Sequence, residues 1–180
     1  MKKILTIAII VLIYSQSFAQ LSVGGQTSFI SLLGTPKVSS PGFGIRADYA
    51  QNEKFVYSLG FSHYLSQDLS DPEGTISSFN CLYLNGRTYF VGDYEDTFNV
   101  YVLGEIGSIG LTFEDKNSSI GHSNLTVGLG LGGEKDLNFG YVYSEIKISI
   151  SANGFNSREE SYDVPTSLIF NVGVRIPFDL

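Results

Sequence analysis

Apolar and polar side chains alternate at every second position along most of this chain. In the stretch GFGIRADYA at 42–50, Phe43, Ile45 and Tyr49 share one face while Arg46 and Asp48 share the other. A period of two predicts a β-strand with two different faces. A short polar break, QNE, separates this strand from the next alternating segment, and the pair is therefore expected to form a hairpin.

Eight such segments follow one another, with no helical pattern or low-complexity linker between them. They cover residues 21–30, 42–50, 54–65, 78–91, 98–113, 123–133, 139–152 and 165–178. Many are ten residues or longer, whereas strands of globular proteins average about five or six residues. Strands that cross a membrane need about 9–11 residues, so the lengths favour a membrane barrel.

The connections between the segments alternate between short and long. The short ones are QNE, GDYEDT and EKDLN, and the long ones are SLLGTPKVSSP, SQDLSDPEGTIS, EDKNSSIGH and NGFNSREESYDV. Outer-membrane barrels have short turns on the periplasmic side and longer loops outside. With eight strands, both ends of the chain are expected on the short-turn side.

The polar face is too small and too sparsely charged for the outside of a soluble sheet. In the segment 123–133, Leu125, Val127 and Leu129 lie opposite Gly128 and Gly130. The apolar face is therefore expected to contact lipid, and only a closed barrel can present it there. The predicted fold is all-β, an eight-stranded antiparallel up-and-down transmembrane β-barrel with an interior filled by side chains.

Seven charged residues fall on the polar face and are predicted to pair with one another inside the barrel, because an unpaired buried charge is costly. They are Arg46, Asp48, Arg87, Glu105, Glu145, Lys147 and Arg175. Aromatic residues gather near the short turns, as in an interfacial girdle: Tyr49, Phe55, Tyr57, Tyr89, Phe90, Phe98, Phe139 and Tyr141. Tyr89, Phe139 and Tyr141 share the inward parity, so they point inward unless a bulge shifts the register.

The first 19 residues predict a secretory signal peptide. Lys2 and Lys3 precede an apolar run at 4–13, and Ser17 and Ala19 suit a cleavage site after Ala19. Residues 20–180 then form one barrel domain with a net charge near −9, which is the formal −7 of the whole chain less the two lysine charges. This charge argues against a nucleic-acid partner. The single cysteine, Cys81, can form no internal disulfide.

The last strand carries a more specific pattern. Asn171, Gly173, Ile176 and Phe178 follow the order polar, glycine, apolar and aromatic that ends the strands of known outer-membrane barrels, although the chain continues with Asp179 and Leu180. With its eight segments, the chain resembles the eight-stranded outer-membrane β-barrels of the OmpA/OmpX type. The resemblance implies an outer-membrane location, outer-membrane lipid and the barrel-assembly machinery as partners, and a bare barrel without catalysis or cofactor.

The long loops are acidic and could contact an extracellular partner, so the expected role is envelope structure or surface interaction. Their acidic residues are Asp68, Asp71, Glu73, Glu114, Asp115, Glu159, Glu160 and Asp163. A calcium site in DLSDPEG has little support because the EF-hand spacing is absent.

Two alternative functions stay open. A lipid-modifying enzyme would use His63 near Ser66, or His122 beside Ser123, although the His-any-Ser spacing of deacylases is absent at both. A soluble lipocalin-like carrier would need an apolar interior.

Overall fold

The computed structural model describes residues 20–33, 38–68, 75–115, 118–152 and 166–178. The strands are β1 (Gln20–Leu32), β2 (Val38–Ala50), β3 (Phe55–Tyr64), β4 (Gln67–Asp68), β5 (Thr75–Val91), β6 (Phe98–Asp115), β7 (Ser118–Asp136), β8 (Tyr141–Ser151) and β9 (Thr166–Phe178). No helix long and apolar enough to cross a membrane occurs in these ranges. The predicted signal peptide lies outside them.

The eight long strands form a closed antiparallel barrel. Each strand pairs with its neighbour in sequence, β1 pairs with β9, and pairing of β3 with β5 completes the sheet. The two-residue strand β4 adds only to the beginning of β5. The predicted fold class and all eight predicted strands are therefore confirmed.

The two ends of the barrel differ in their connections. The turn end carries the connections 51–54, 92–97 and 137–140, and the described parts of the connections at the loop end are residues 33, 65–66 and 152. At the first turn, Asn52 Oδ1 accepts hydrogen bonds from the backbone N–H groups of Lys54 and Phe55, both at 2.9 Å. The asparagine thereby folds the chain back tightly.

The sequence prediction of a long loop at 114–122 is wrong. β6 and β7 stay paired as far as Asp115 and Ser118, so Glu114 and Asp115 belong to a strand, and Asp68 lies in β4. The other acidic residues predicted in loops lie outside the described ranges. Alternation of apolar and polar side chains reveals a strand only where the two faces of the sheet meet different surroundings. Two paired strands that have water on both faces do not need such alternation.

Three neighbouring strands extend beyond the others at the loop end. β7 pairs with β8 only from Thr126 onwards, and β5 pairs with β3 only from Phe79 onwards. β5, β6 and β7 therefore continue as a three-stranded extension beyond the rim formed by their neighbours. We call this the β5–β7 extension.

The two faces of the barrel have the predicted orientation. Along β2, Phe43 and Ile45 are exposed on the outside while Arg46 and Asp48 are buried inside. Leu129 is 74% exposed on the outer surface, and Arg175 is 0% exposed in the interior. An apolar exterior around a charged interior is the reverse of a soluble barrel.

The aromatic prediction holds only in part. Exposed rings at the turn end are those of Phe55, Tyr57, Phe90, Phe98 and Phe139, and Tyr49 is half-buried on the outer face. Tyr89 and Tyr141 keep the inward parity and are buried, so they do not belong to the girdle. The inward parity of Phe139 is wrong, because this residue lies in the turn before β8 and is exposed. A register shift between Tyr89 and Val91 begins only after Tyr89, so it turns Val91 to the outside beside Phe90 and leaves Tyr89 inside.

Apolar side chains fill part of the interior at both ends. The loop-end cluster contains Ile30, Leu32, Val38, Tyr64, Phe79, Cys81, Ile109, Leu111 and Ile169. The turn-end cluster contains Ala50, Val56, Tyr89, Tyr94, Tyr101 and Leu103. The charged side chains occupy the middle of the barrel and share its turn half with the second cluster.

Candidate functional site: the charged interior

All seven charged residues predicted for the inner face point into the barrel and are buried. None is more than 7% exposed. Six of the seven come from β2, β5, β8 and β9, and Glu105 comes from β6. The barrel therefore brings together side chains that are separated by as many as 129 positions in the sequence, between Arg46 and Arg175.

The centre of this group is a residue that the sequence analysis placed in a turn. Glu134 lies near the end of β7, points inward and is 1% exposed. Its Oε1 accepts from Arg87 Nη1 at 2.7 Å and Arg46 Nη2 at 3.4 Å. Its Oε2 accepts from Arg175 Nε at 2.9 Å and lies 2.7 Å from Arg175 Nη2. One carboxylate thus joins three arginines from three strands.

Glu134 could have been found by extending the alternation. It shares parity with Gly128, Gly130 and Gly132 on the inner face of the same strand. The polar sequence EKDLN indicated a turn instead, and β7 ends two residues later, at Asp136. The turn signal was real, but it began later than residue 134.

Two further carboxylates complete the arginine contacts. Asp48 Oδ2 lies 2.8 Å from Arg87 Nη2, and Glu145 Oε1 lies 2.6 Å from Arg46 Nη1. Glu145 Oε1 also accepts a hydrogen bond from the Tyr101 hydroxyl at 2.9 Å. Charge-assisted hydrogen bonds of this kind are about twice as strong as neutral ones.

A separate ion pair lies on the side of the loop end. Lys147 Nζ donates to Glu105 Oε2 at 2.5 Å, and both side chains are almost fully buried. With Glu134 included, the described interior holds four cations and four carboxylates. The seven predicted residues alone would leave one surplus positive charge, so Glu134 makes the interior neutral.

Each interior cation also lies against a tyrosine ring. Arg46 stacks 3.5 Å from the ring centroid of Tyr143, and Lys147 lies 4.3 Å from that of Tyr83. Arg87 lies 5.3 Å from the centroid of Tyr101. Such contacts are worth about 2 kcal/mol or more when they are desolvated.

Three of these tyrosines lie flat against an inward glycine on the neighbouring strand. The directly opposed pairs are Tyr83 with Gly60, Tyr101 with Gly132, and Tyr143 with Gly173. A Cβ atom at any of the three glycines would come closer than 3.0 Å to the tyrosine ring. The glycines therefore provide the space in which the rings lie, and the cations stack on the rings.

A buried amide links two of the rings. Gln26 Oε1 accepts from the hydroxyl of Tyr143 at 2.9 Å and from that of Tyr83 at 3.4 Å. Its Nε2 donates to Ser62 Oγ at 3.0 Å and to Ser28 Oγ at 3.2 Å. All the usual hydrogen-bonding positions of this amide are occupied by protein groups.

The turn at 92–97 closes over the turn end of the interior. Arg175 lies between the rings of Tyr94 and Tyr141, 3.9 and 3.8 Å from their centroids, and its Nη2 donates to the Tyr94 carbonyl at 2.8 Å. The Tyr94 hydroxyl lies 2.9 Å from Ser22 Oγ. Burial raises the pKa of the Tyr94 phenol above its usual value, so the phenol keeps its proton.

The candidate catalytic and metal sites do not assemble in the described residues. His63 lies on the outer face, where Nδ1 is 2.8 Å from Asn80 Oδ1 and the ring packs against Phe43. The side chains of His122 and of the proposed calcium ligands Asp68, Asp71 and Glu73 lie outside the description. Within its limits, no three His, Cys, Asp or Glu residues are placed to hold a metal ion.

The predicted assembly signal divides between the two faces of β9. Asn171 and Gly173 point inward, whereas Ile176 and Phe178 are about half-exposed on the outside. Phe178 pairs with Leu21 and Ile176 with Val23, where β9 meets β1. The two outer side chains thus lie at the seam that joins the beginning and the end of the barrel.

No protein-family model matches this sequence, and no curated protein matches it significantly. Solved structures do match. Neisserial surface protein A (NspA) is similar over 88% of this chain and 97% of its own, with 11% identity and a TM-score of 0.67.

Two further structures agree. The N-terminal β-barrel domain of OprF from Pseudomonas aeruginosa matches 88% of this chain and 99% of its own, with 13% identity and a TM-score of 0.55. Outer membrane protein AlkL, solved in lipid bilayers, matches 91% of this chain and 92% of its own, with 12% identity and a TM-score of 0.59. Identities this low carry the fold and no finer property: the chain is a closed eight-stranded antiparallel β-barrel, the fold that it shares with these outer-membrane proteins.

Proposed function

We propose that this protein is an integral outer-membrane barrel, exported by its signal peptide, that neither catalyses a reaction nor conducts solutes. The apolar outer surface supports insertion in lipid, since exposed side chains such as Leu129, Ile106 and Ile148 would be unfavourable in water. The shared fold with NspA, OprF and AlkL supports the outer membrane as the location.

The proposal of a closed interior is supported chiefly by the complete pairing of the charges inside the barrel. The four cations and four carboxylates of the described interior are all in ion pairs, with distances of 2.5–3.4 Å. Apolar clusters lie towards both ends. An ion crossing this interior would have to break buried pairs, each of which costs several kcal/mol to leave unpartnered.

The test is the conductance of the full chain in planar lipid bilayers. We expect no discrete current steps in concentrated KCl, while a general porin inserted in the same way provides the positive control. A parallel sample must migrate differently on a gel before and after boiling. This shift shows that the protein is folded, so a lack of current cannot be attributed to unfolded protein. Stable conductance steps in properly folded protein would refute the closed interior.

The loop end supports a second part of the proposal, contact with a partner outside the cell. The β5–β7 extension projects beyond the rim, and the sequence between residues 65 and 74 and between 113 and 120 is rich in acidic and polar residues. We propose that this end faces the medium and carries the surface interaction of the protein. Labelling of added cysteines from outside intact cells tests which end faces outward.

The alternatives receive no support from the described residues. A lipid-modifying enzyme of the kind considered would need a histidine–serine contact, and the recorded hydrogen bond of His63 goes to Asn80. A carrier for an apolar ligand would need an apolar cavity, and the middle of this barrel contains the ion pairs of Glu134 and Glu105.

A further inference from the structure

The turn at residues 92–97 joins two strands that lie opposite the seam between β1 and β9. In the closed sheet, β3 and β2 separate β5 from β1, and β7 and β8 separate β6 from β9. β1 and β9 are the first and the last of the described strands, so no turn or loop links them directly. A short turn keeps two paired strands close together even when they separate, and the seam lacks this support.

Tyr94, in the middle of this turn, contacts both strands of the seam. Its hydroxyl lies 2.9 Å from Ser22 Oγ on β1, and its carbonyl accepts a hydrogen bond from Arg175 Nη2 on β9 at 2.8 Å. The Tyr94 ring also lies against the same guanidinium, with its centroid 3.9 Å from Arg175 Cζ. None of the three residues is more than 2% exposed. A single buried residue from the opposite side of the barrel therefore contacts the first and the last strand at once.

Glu95 extends these contacts along the same side of the barrel. Its carbonyl accepts a hydrogen bond from the Tyr141 hydroxyl at 3.0 Å, at the beginning of β8, which is the neighbour of β9. Its carboxylate contacts the side-chain amide of Gln20, at the beginning of β1. Two consecutive residues of the turn thus reach three neighbouring strands, β8, β9 and β1.

The base of the turn is held in place on its own side of the barrel. The Tyr94 N–H donates to the Glu53 carbonyl at 2.9 Å, and Lys54 Nζ donates to the Gly92 carbonyl at 3.0 Å. Gly92 has a φ of +67°, and a Cβ atom there would lie 2.5 Å from the Phe98 carbonyl oxygen. Glycine at this position therefore permits the bend that directs Tyr94 into the interior.

The turn contacts the seam at a place where the backbone pairing of β9 is reduced. Ser22 lies opposite Pro177, which has no N–H to donate to β1. β8 pairs with β9 only as far as Arg175, so residues 176–178 are paired on one side only, with β1. Contacts from the turn can therefore add most to the stability of the seam at this end.

We infer that the turn at 92–97 acts as a strap that stabilises the closed seam between β1 and β9 at the turn end of the barrel. The contacts of Tyr94 with Ser22 and with Arg175 can exist together only when β1 and β9 lie side by side. Separation of the two strands at this end must therefore break the contacts of the strap as well as the strand pairing. The strap supplies the link between the first and the last strand that the order of the chain does not provide.

The first test is hydrogen–deuterium exchange of backbone amides, followed by NMR on the full chain folded in detergent micelles. Tyr94→Ala removes the ring from Arg175 and the hydroxyl from Ser22. We expect the amides at the turn end of the seam, residues 21–24 and 174–176, to exchange at least about tenfold faster than in the wild type. The amides at the loop end of the same seam, residues 29–32 and 168–170, should change by less than about twofold, because the strap does not reach them.

Tyr101→Ala is the matched control. Tyr101 is also a buried tyrosine of the turn-end cluster, but its hydroxyl bonds Glu145 on β8 and its ring lies near Arg87 on β5, away from the seam. We expect this substitution to accelerate exchange without preference for the turn end of the seam. Equal acceleration of the seam amides by the two substitutions, or even acceleration of all amides by Tyr94→Ala, would overturn the strap.

The second test uses milder substitutions that keep a ring at position 94. Tyr94→Phe and Ser22→Ala each remove one partner of the hydrogen bond between the turn and β1, and each should accelerate exchange at residues 21–24 by about two- to tenfold. If this bond links the two residues, the double variant exchanges no faster than the faster of the single variants. Multiplied effects of the two substitutions, or no effect of either, would show that the turn does not hold β1 and would overturn the inference.

Discussion

At the scale of single residues, the interior depends on one carboxylate that contacts three arginines. Glu134 accepts from Arg87, Arg46 and Arg175, which belong to three different strands. Removing this carboxylate leaves buried guanidinium groups without compensation, which is more costly than removing the whole network. The stability of the barrel should therefore be much more sensitive to Glu134 than to its neighbours in sequence.

We predict that Glu134→Gln lowers the free energy of unfolding by about 3–5 kcal/mol. The measurement is the fraction of protein with folded gel mobility as urea increases, with refolding followed in the same detergent. Lys135→Gln is the matched control, because Lys135 is the next residue and lies exposed on the outer face. Its effect should stay within about 0.5 kcal/mol, and equal effects of the two substitutions would contradict the role assigned to Glu134.

The inward glycines are also individually important. Gly132 lies beneath Tyr101, whose ring carbons would be 2.5 Å from an added Cβ. We predict that Gly132→Ala destabilises the barrel by about 1–3 kcal/mol through overpacking. Gly25→Ala, on the outer face with nothing within 4 Å of its added Cβ, should be neutral or stabilising by up to about 1 kcal/mol. Urea unfolding measures both, and an equal loss at Gly25 would mean that glycine is needed for the strands themselves.

At the scale of elements, β9 has two roles that the structure separates by face. Its inner side contributes Asn171 and Arg175 to the charged interior, and its outer side presents Ile176 and Phe178 beside β1. The resemblance to outer-membrane barrels implies an assembly signal of Asn171, Gly173, Ile176 and Phe178, of which the outer pair is the exposed part. In the long β6–β7 hairpin, strand pairing continues beyond the residues at which the alternation of side chains predicts a strand.

We predict that Phe178→Ala reduces the amount of folded barrel in the outer-membrane fraction several-fold, because it removes the aromatic residue of the assembly signal. Phe170→Ala is the control, since Phe170 lies on the same face of the same strand and is 47% exposed, against 48% for Phe178. Both purified variants should refold equally well in detergent. If the two variants assemble to the same level in cells, β9 is not recognised through Phe178.

At the scale of the whole molecule, the two ends are different enough to define an orientation. The turn end is closed by short connections and by Tyr94, and the beginning of β1 and the end of β9 lie there, whereas the loop end carries the β5–β7 extension. A chain inserted from the periplasm leaves its two termini and its short turns on the periplasmic side. The loop end is therefore expected to face the medium.

We predict opposite labelling of two variants, each with one added cysteine, by a membrane-impermeant maleimide. Ser66→Cys, exposed at the loop end, should react in intact cells, and Thr97→Cys, exposed in a turn, should react only after the outer membrane is made permeable. The wild type provides the background, because its Cys81 is buried in the interior. Reversed labelling would place the turns outside, and no labelling of Ser66→Cys in intact cells would argue against surface exposure.

Much of the architecture follows from the sequence alone, because it depends on local contrast. A period of two with leucine or isoleucine on one face and glycine, serine or charge on the other marks each strand and its lipid-facing side, as at Leu129 and Gly128. The same parity placed all seven predicted charges on the inner face. None of these inferences requires knowledge of which strands are neighbours.

The remaining features depend on register between distant segments, and only the tertiary structure decides them. Glu134 meets Arg46 across 88 positions of sequence, and Tyr101 finds Gly132 because β6 and β7 pair in one particular register. Parity already turns Tyr89 and Tyr141 inward, and only the structure shows that they contact Arg87 and Arg175 there. Periodicity shows which way a side chain points, whereas the closed sheet determines what it meets, since that depends on the pairing of all eight strands at once.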